Sequence, residues 1–63
     1  MYLLQVFYGR DLHPREILKI DRPGDVLTRI PEVLKAHEGC ERIDVYAETL
    51  FLFAVDCQGR RLP

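Results

Sequence analysis

The chain has 63 residues, 48% of them hydrophobic and 30% charged, which describes one domain (residues 1–63) with a small core rather than a disordered segment. Nine basic residues against ten acidic ones leave a net charge of −1. The basic residues are interleaved with acids, which argues against a polyanion partner or a charged membrane surface. No apolar run approaches the ~20 residues that span a bilayer, and Met1-Tyr2-Leu3-Leu4 lacks the basic start of a signal peptide. Two cysteines are too few for a secreted disulfide scaffold, so the expected compartment is the cytoplasm, with both thiols reduced.

Tyr2 to Tyr8 is aromatic and branched and stops at Gly9, the composition of a strand covered on both faces. Gly9 to Pro14 is a connection, because Pro14 holds His13 extended. Arg15 to Ile20 is a second, more polar strand. Asp21-Arg22-Pro23-Gly24 is turn chemistry, and Asp25 stands where a helix N-cap belongs.

Val26, Leu27, Ile30, Val33, Leu34 and His37 recur at spacings of three and four, one stripe of a helix predicted over residues 25–38. Gly39 is its C-cap candidate. Pro31 objects, since in a helix interior it deletes a donor at a cost of ~3 kcal/mol. The helix either kinks there or begins its regular part near Thr28.

Cys40 to Tyr46 alternates, with Ile43 and Val45 on one side and Arg42, Asp44 and Tyr46 on the other, the pattern of a strand with one solvated face. Ala47-Glu48-Thr49 makes a short hairpin connection. Leu50 to Val55 is apolar at every position, which predicts a central strand. Asp56 to Gly59 is a turn, and Arg60 to Pro63 is a tail or a short return.

The expected fold is therefore α+β in ββαββ order, one helix on a four-stranded sheet. Putting the two most apolar strands, the first and the fourth, in the middle gives the order 3-4-1-2. That order resembles the β-grasp arrangement of small immunoglobulin-binding and ubiquitin-like domains, a likeness of architecture that carries no function. The all-antiparallel order 2-1-3-4 is the alternative.

One helix covers one face of such a sheet. Leu4, Val6, Leu18, Ile43 and Val45 would lie beneath it. The other face would collect Leu3, Phe7, Ile17, Tyr46 and one alternate set of the fourth strand, either Phe51 and Phe53 or Leu50 and Leu52. An apolar patch of several hundred Å² matches or exceeds the largest on most monomers. Leu3, Phe7, Ile17, Tyr46, Phe51 and Phe53 are thus the candidate interface, and a second copy of the chain is the simplest partner. An unidentified protein partner is a further one.

Residues with catalytic or ligand chemistry are sparse. His37-x-x-Cys40 and Cys57, the latter facing Cys40 if the hairpin loop has two residues, would need His13 as a fourth zinc ligand, and nothing brings His13 there. Cys40 beside His37 is the one pairing of a nucleophile with a base, serine is absent, and each of the four glycines sits at a turn. No enzyme, cofactor or metal site is expected. Tyr46, Phe7 and Phe51 or Phe53 with Arg42 would suit stacking of single-stranded bases, but the acidic balance and Asp44 oppose it. A ubiquitin-like sulfur carrier ends in Gly-Gly, whereas this chain ends Arg-Arg-Leu-Pro.

Overall fold

A computed structural model describes residues 1–62 and contains five elements: β1 (Tyr2–Phe7), β2 (Glu16–Ile20), α1 (Pro23–Ala36), β3 (Arg42–Ala47) and β4 (Leu50–Asp56). The ββαββ order and the single helix packed on a four-stranded sheet agree with the expectation. Every pairing is antiparallel and the order is β2-β1-β3-β4. The antiparallel alternative is therefore the one adopted, and the β-grasp-like 3-4-1-2 order is not.

Apolar content does not decide which strand is central here. Leu50, Phe51 and Leu52 of β4 are exposed. The alternating β3 takes the central place, with Ile43, Asp44 and Val45 all buried. Asp44 is tolerated there because its carboxylate accepts a hydrogen bond from Arg42 Nε at 2.9 Å. Since β2 and β3 each run antiparallel to β1, they run the same way on either side of it, and α1 is the crossover that joins them.

The β3–β4 hairpin closes as the two-residue loop Glu48-Thr49, with Ala47 opposite Leu50 and Glu48 at a φ of 57°. Between Val45 and Tyr46 the register slips: Tyr46 pairs with Phe51, Val45 with Phe53. This β-bulge makes Leu52 an extra residue, so Phe51 and Phe53 no longer share a face as simple alternation requires. It also ends the ladder on Arg42 opposite Asp56. One residue of offset thus removes the expected direct opposition of Cys40 and Cys57, and β3 begins at Arg42 rather than Cys40. The tail returns along the edge, Arg61 bridging Val55 and the Leu62 amide donating to the Ala54 carbonyl at 2.8 Å. Pro63 lies outside the described residues.

Helix α1 starts two residues before the expected boundary. Arg22 is the N-cap and contributes no side-chain bond, while Pro23 occupies the first turn, where its missing N–H costs nothing. Asp25 is therefore not the cap; it lies inside the first turn, its charge favourably placed toward the helix N-terminus. Pro31 is inside the helix and exposed. His37, not Glu38, closes the helix, and Gly39 follows in the chain reversal with a φ of 86°.

Val26, Ile30 and Val33 of α1 are buried against Leu4, Val6, Ile20, Ile43, Val45 and Val55 of the sheet, with Cys40 in the same cluster. Leu34 is partly buried, whereas Leu27, assigned to the same stripe, is 69% exposed. The helix approaches β2 most closely, leaving the β4 side of its own sheet face less covered.

Candidate functional site

The face of the sheet away from α1 is fixed by the registers. Three rows cross it from β2 toward β4: Lys19, Leu3, Tyr46 and Phe51; then Ile17, Gln5, Asp44 and Ala54; then Phe7, Arg42 and Asp56. Five of the six expected interface residues, Leu3, Phe7, Ile17, Tyr46 and Phe51, lie on this face. Phe53 does not. The bulge turns it to the helix side, where it packs against the core beneath the Arg61 guanidinium, 4.7 Å from its ring centroid.

The face is less uniformly apolar than a count of residues suggested. Phe7 is buried, with the Arg42 guanidinium 4.1 Å above its ring. Arg42 thereby spends its charge twice, on the Phe7 ring and on the Asp44 carboxylate. With Gln5 between them and Ile17, they give the middle of the sheet a polar, internally satisfied strip. The apolar material that remains exposed is concentrated at the hairpin end. Tyr46 and Phe51 meet edge to face at 5.5 Å. Phe51 is 51% exposed, with Leu52 exposed next to it on the β4 edge, whereas Ile17, 50% exposed, stands apart on β2 beyond Gln5.

A second cluster lies at the opposite end of the molecule. His37 Nε2 is 3.0 Å from Glu16 Oε2, and Nδ1 is 2.9 Å from the Tyr8 hydroxyl. An ionised carboxylate only accepts, so Nε2–H donates to Glu16; in the neutral ring Nδ1 then accepts from the Tyr8 O–H. Arg15 stacks over the Tyr8 ring at 4.3 Å and pairs with Asp11 at 2.9 Å. Sequence reasoning missed Tyr8 and Glu16 as partners of His37, because they stand 29 and 21 residues away and no local spacing links them.

The trio has the bonding order of a proton relay. It nonetheless borders only a small groove of about 130 Å³ shared with Arg29 and Glu32, which Tyr8 does not line. Its evident work is mechanical: the end of α1 is tied to β2 and to the residue after β1.

Cys40 is buried and Cys57 exposed, both as free thiols. Burial, and after it the neighbouring Cys57, raises the Cys40 pKa above the ordinary 9.0, the opposite of what an activated nucleophile requires. Both His37 nitrogens are engaged elsewhere. Among the described residues no three His, Cys, Asp or Glu side chains gather as a metal ion would need. Among the described residues no helix is long and apolar enough to cross a membrane. Searches against family models, curated proteins and solved structures find no match for this chain.

Proposed function

We propose that this domain is a non-catalytic interaction module that self-associates through the sheet face its helix leaves uncovered. The observation that carries the reading is the exposed hairpin end of that face, Phe51 and Tyr46 in edge-to-face contact, with Leu3 beside Tyr46 in the same row and Leu52 exposed next to Phe51. An aromatic pair flanked by leucines, with a polar and internally satisfied strip beside it, has the composition of an interface core with its rim. Residues opposite one another across a two-fold axis would bring like to like, and the apolar end tolerates that where a charged one would not.

The size of the face sets the strength. Four strands ~4.8 Å apart and about 20 Å long present a flat footprint of roughly 400 Å². Burying it on two copies removes roughly 800 Å² in total, below the ~1,200–2,000 Å² of stable interfaces, so association should be weak and reversible. The base-stacking alternative finds less support, because Arg42, its intended cation, is occupied by Asp44 and Phe7.

Sedimentation velocity between about 5 and 500 µM tests the proposal. A weight-average mass rising toward twice the monomer is expected, with Phe51→Asp abolishing the rise and Leu27→Asp, on the helix side, leaving it intact. A strictly monomeric species throughout, or equal sensitivity to both substitutions, would refute it. Retention of single-stranded oligonucleotides at low salt would favour the alternative instead.

A further inference from the structure

A larger groove lies on the other side of the sheet. Because α1 approaches β2 most closely, a cleft of about 610 Å³ opens between the helix and β4. Leu27, Ile30 and Leu34 form its helix wall, and Phe53 and Val55 belong to the strand facing them. Its polar lining comes from one place, the turn after β4, which contributes Gln58 and Arg61. That volume is ordinary for a small-molecule site.

The groove is built at both of its ends. Leu27 stands 69% exposed on the wall, although it belongs to the stripe that sequence periodicity assigned to the core. At the turn, Asp56 Oδ1 accepts from the amides of Gln58 and Arg60 at 2.9 Å each, and the Asp56 amide donates to the Arg60 carbonyl at 2.8 Å. Arg61 then pairs its backbone with Val55 and lays its guanidinium over the Phe53 ring. Among the described residues no carboxylate lies within ion-pair distance of Arg61, whereas Arg60 beside it pairs with Asp56. Arg61 is also the one charged side chain of the lining. An apolar trough with a single preorganised guanidinium at one side is complementary to an apolar chain that carries a single negative head, and the planar fork fits a carboxylate best.

We infer that this groove binds an aliphatic monocarboxylate, its chain lying along Leu27, Ile30, Leu34 and Phe53 and its head held by Arg61. The site is independent of the self-association surface, being on the opposite face of the sheet, and either can fail without the other. Arg61 donates two parallel N–H bonds to the carboxylate, and the Gln58 amide is near enough in the chain to supply a third donor. A ligand of about ten heavy atoms in so open a cleft binds with a Kd near millimolar.

Amide-resolved NMR titration of the intact chain with sodium octanoate, and in parallel with 1-octanol, tests this. Saturable shifts are expected at Leu27, Leu34, Val55 and Gly59. Arg61→Gln should weaken octanoate about tenfold and leave 1-octanol unchanged. Gln58→Glu, an exposed change that places a like charge beside the head, should weaken octanoate in the same selective way. The inference is overturned if no saturable shift appears in the groove by about 10 mM. It is equally overturned if the shifts centre on Tyr46 and Phe51, or if the Arg61 and Gln58 variants affect acid and alcohol alike.

Discussion

Phe51 and Phe53 are two residues apart in an apolar strand, and simple alternation would give them one environment. The bulge opposite Tyr46 gives them two, so truncating each to alanine should have opposite consequences for stability and for association. Phe51 is half exposed. Half of the ~200 Å² a phenylalanine side chain offers, at ~25 cal/mol/Å², is about 2.5 kcal/mol. That is an upper bound, because the unfolded chain is itself partly collapsed and alanine keeps the Cβ, so Phe51→Ala should cost ~1–1.5 kcal/mol. Phe53 packs on the core cluster under Arg61, and its loss also opens a void. Core Phe→Ala changes cost ~3–5 kcal/mol, and a partly buried residue belongs near ~3. Loss of strand preference is common to both and cancels. A difference of ~1.5–2 kcal/mol is then expected, about 6–16 °C in a domain of this size. Urea unfolding followed by far-ultraviolet circular dichroism at low micromolar concentration, where association is absent, measures it. Sedimentation supplies the reciprocal readout, with Phe51→Ala weakening self-association and Phe53→Ala sparing it. Equal destabilisation, or a larger loss at Phe51, would mean that the strand runs in register without the bulge.

Removing Arg42 leaves a nearly buried Asp44 carboxylate unpaired and uncovers Phe7, so Arg42→Ala should cost about 1–3 kcal/mol; a cycle with Asp44→Ala checks this, and purely additive losses would show that the pair has no coupling. Pro31 is exposed within α1 and denies the Leu27 carbonyl its helical donor, so Pro31→Ala should stabilise by ~1 kcal/mol or more, seen as a raised urea midpoint with an unchanged slope. Burial, and then Cys57, raises the Cys40 pKa above 9.0, so the folded chain keeps a proton that the unfolded chain loses. That stabilisation is complete below about pH 9 and is lost as the pH climbs through the folded-state value. The urea midpoint of the wild type should therefore fall more steeply above about pH 9 than that of Cys40→Ala.

The elements were legible because each is written in local chemistry. The helix stripe Val26, Ile30 and Val33 and the alternation around Ile43 and Val45 depend on neighbours within four positions, whereas the turn read at Asp21 to Gly24 is cut short because Pro23 and Gly24 already belong to the helix. The helix start was misplaced by two residues because Pro23 and Asp25 both carry start signals, and the proline, restrictive in φ and needing no donor, prevailed. Strand order was not legible from apolar content, since an edge strand bearing Leu50, Phe51 and Leu52 looks the same in sequence as a central one. The partners of His37 were hidden for a different reason: Tyr8 and Glu16 meet it only once β1, β2 and α1 are assembled.

A single inserted residue reorganises both candidate surfaces at once. Without the slip at Val45/Tyr46, Phe51 and Phe53 would lie on one face. Either the open sheet would hold both rings and the groove would lose its aromatic residue, or the groove would hold both and Tyr46 would lose its partner. With the slip, one ring goes to each side. Phe51 completes the aromatic pair on the open face, and Phe53 becomes the platform on which Arg61 rests. Bulges commonly re-aim one side chain in this way. Deleting Leu52 would take out the extra residue and leave every pair between Ala47 and Arg42 in place, Tyr46 with Phe51 and Val45 with Phe53, so such a chain should keep both its self-association and its carboxylate groove. A folded deletion variant that lost either surface would show that the slip does not lie at Leu52.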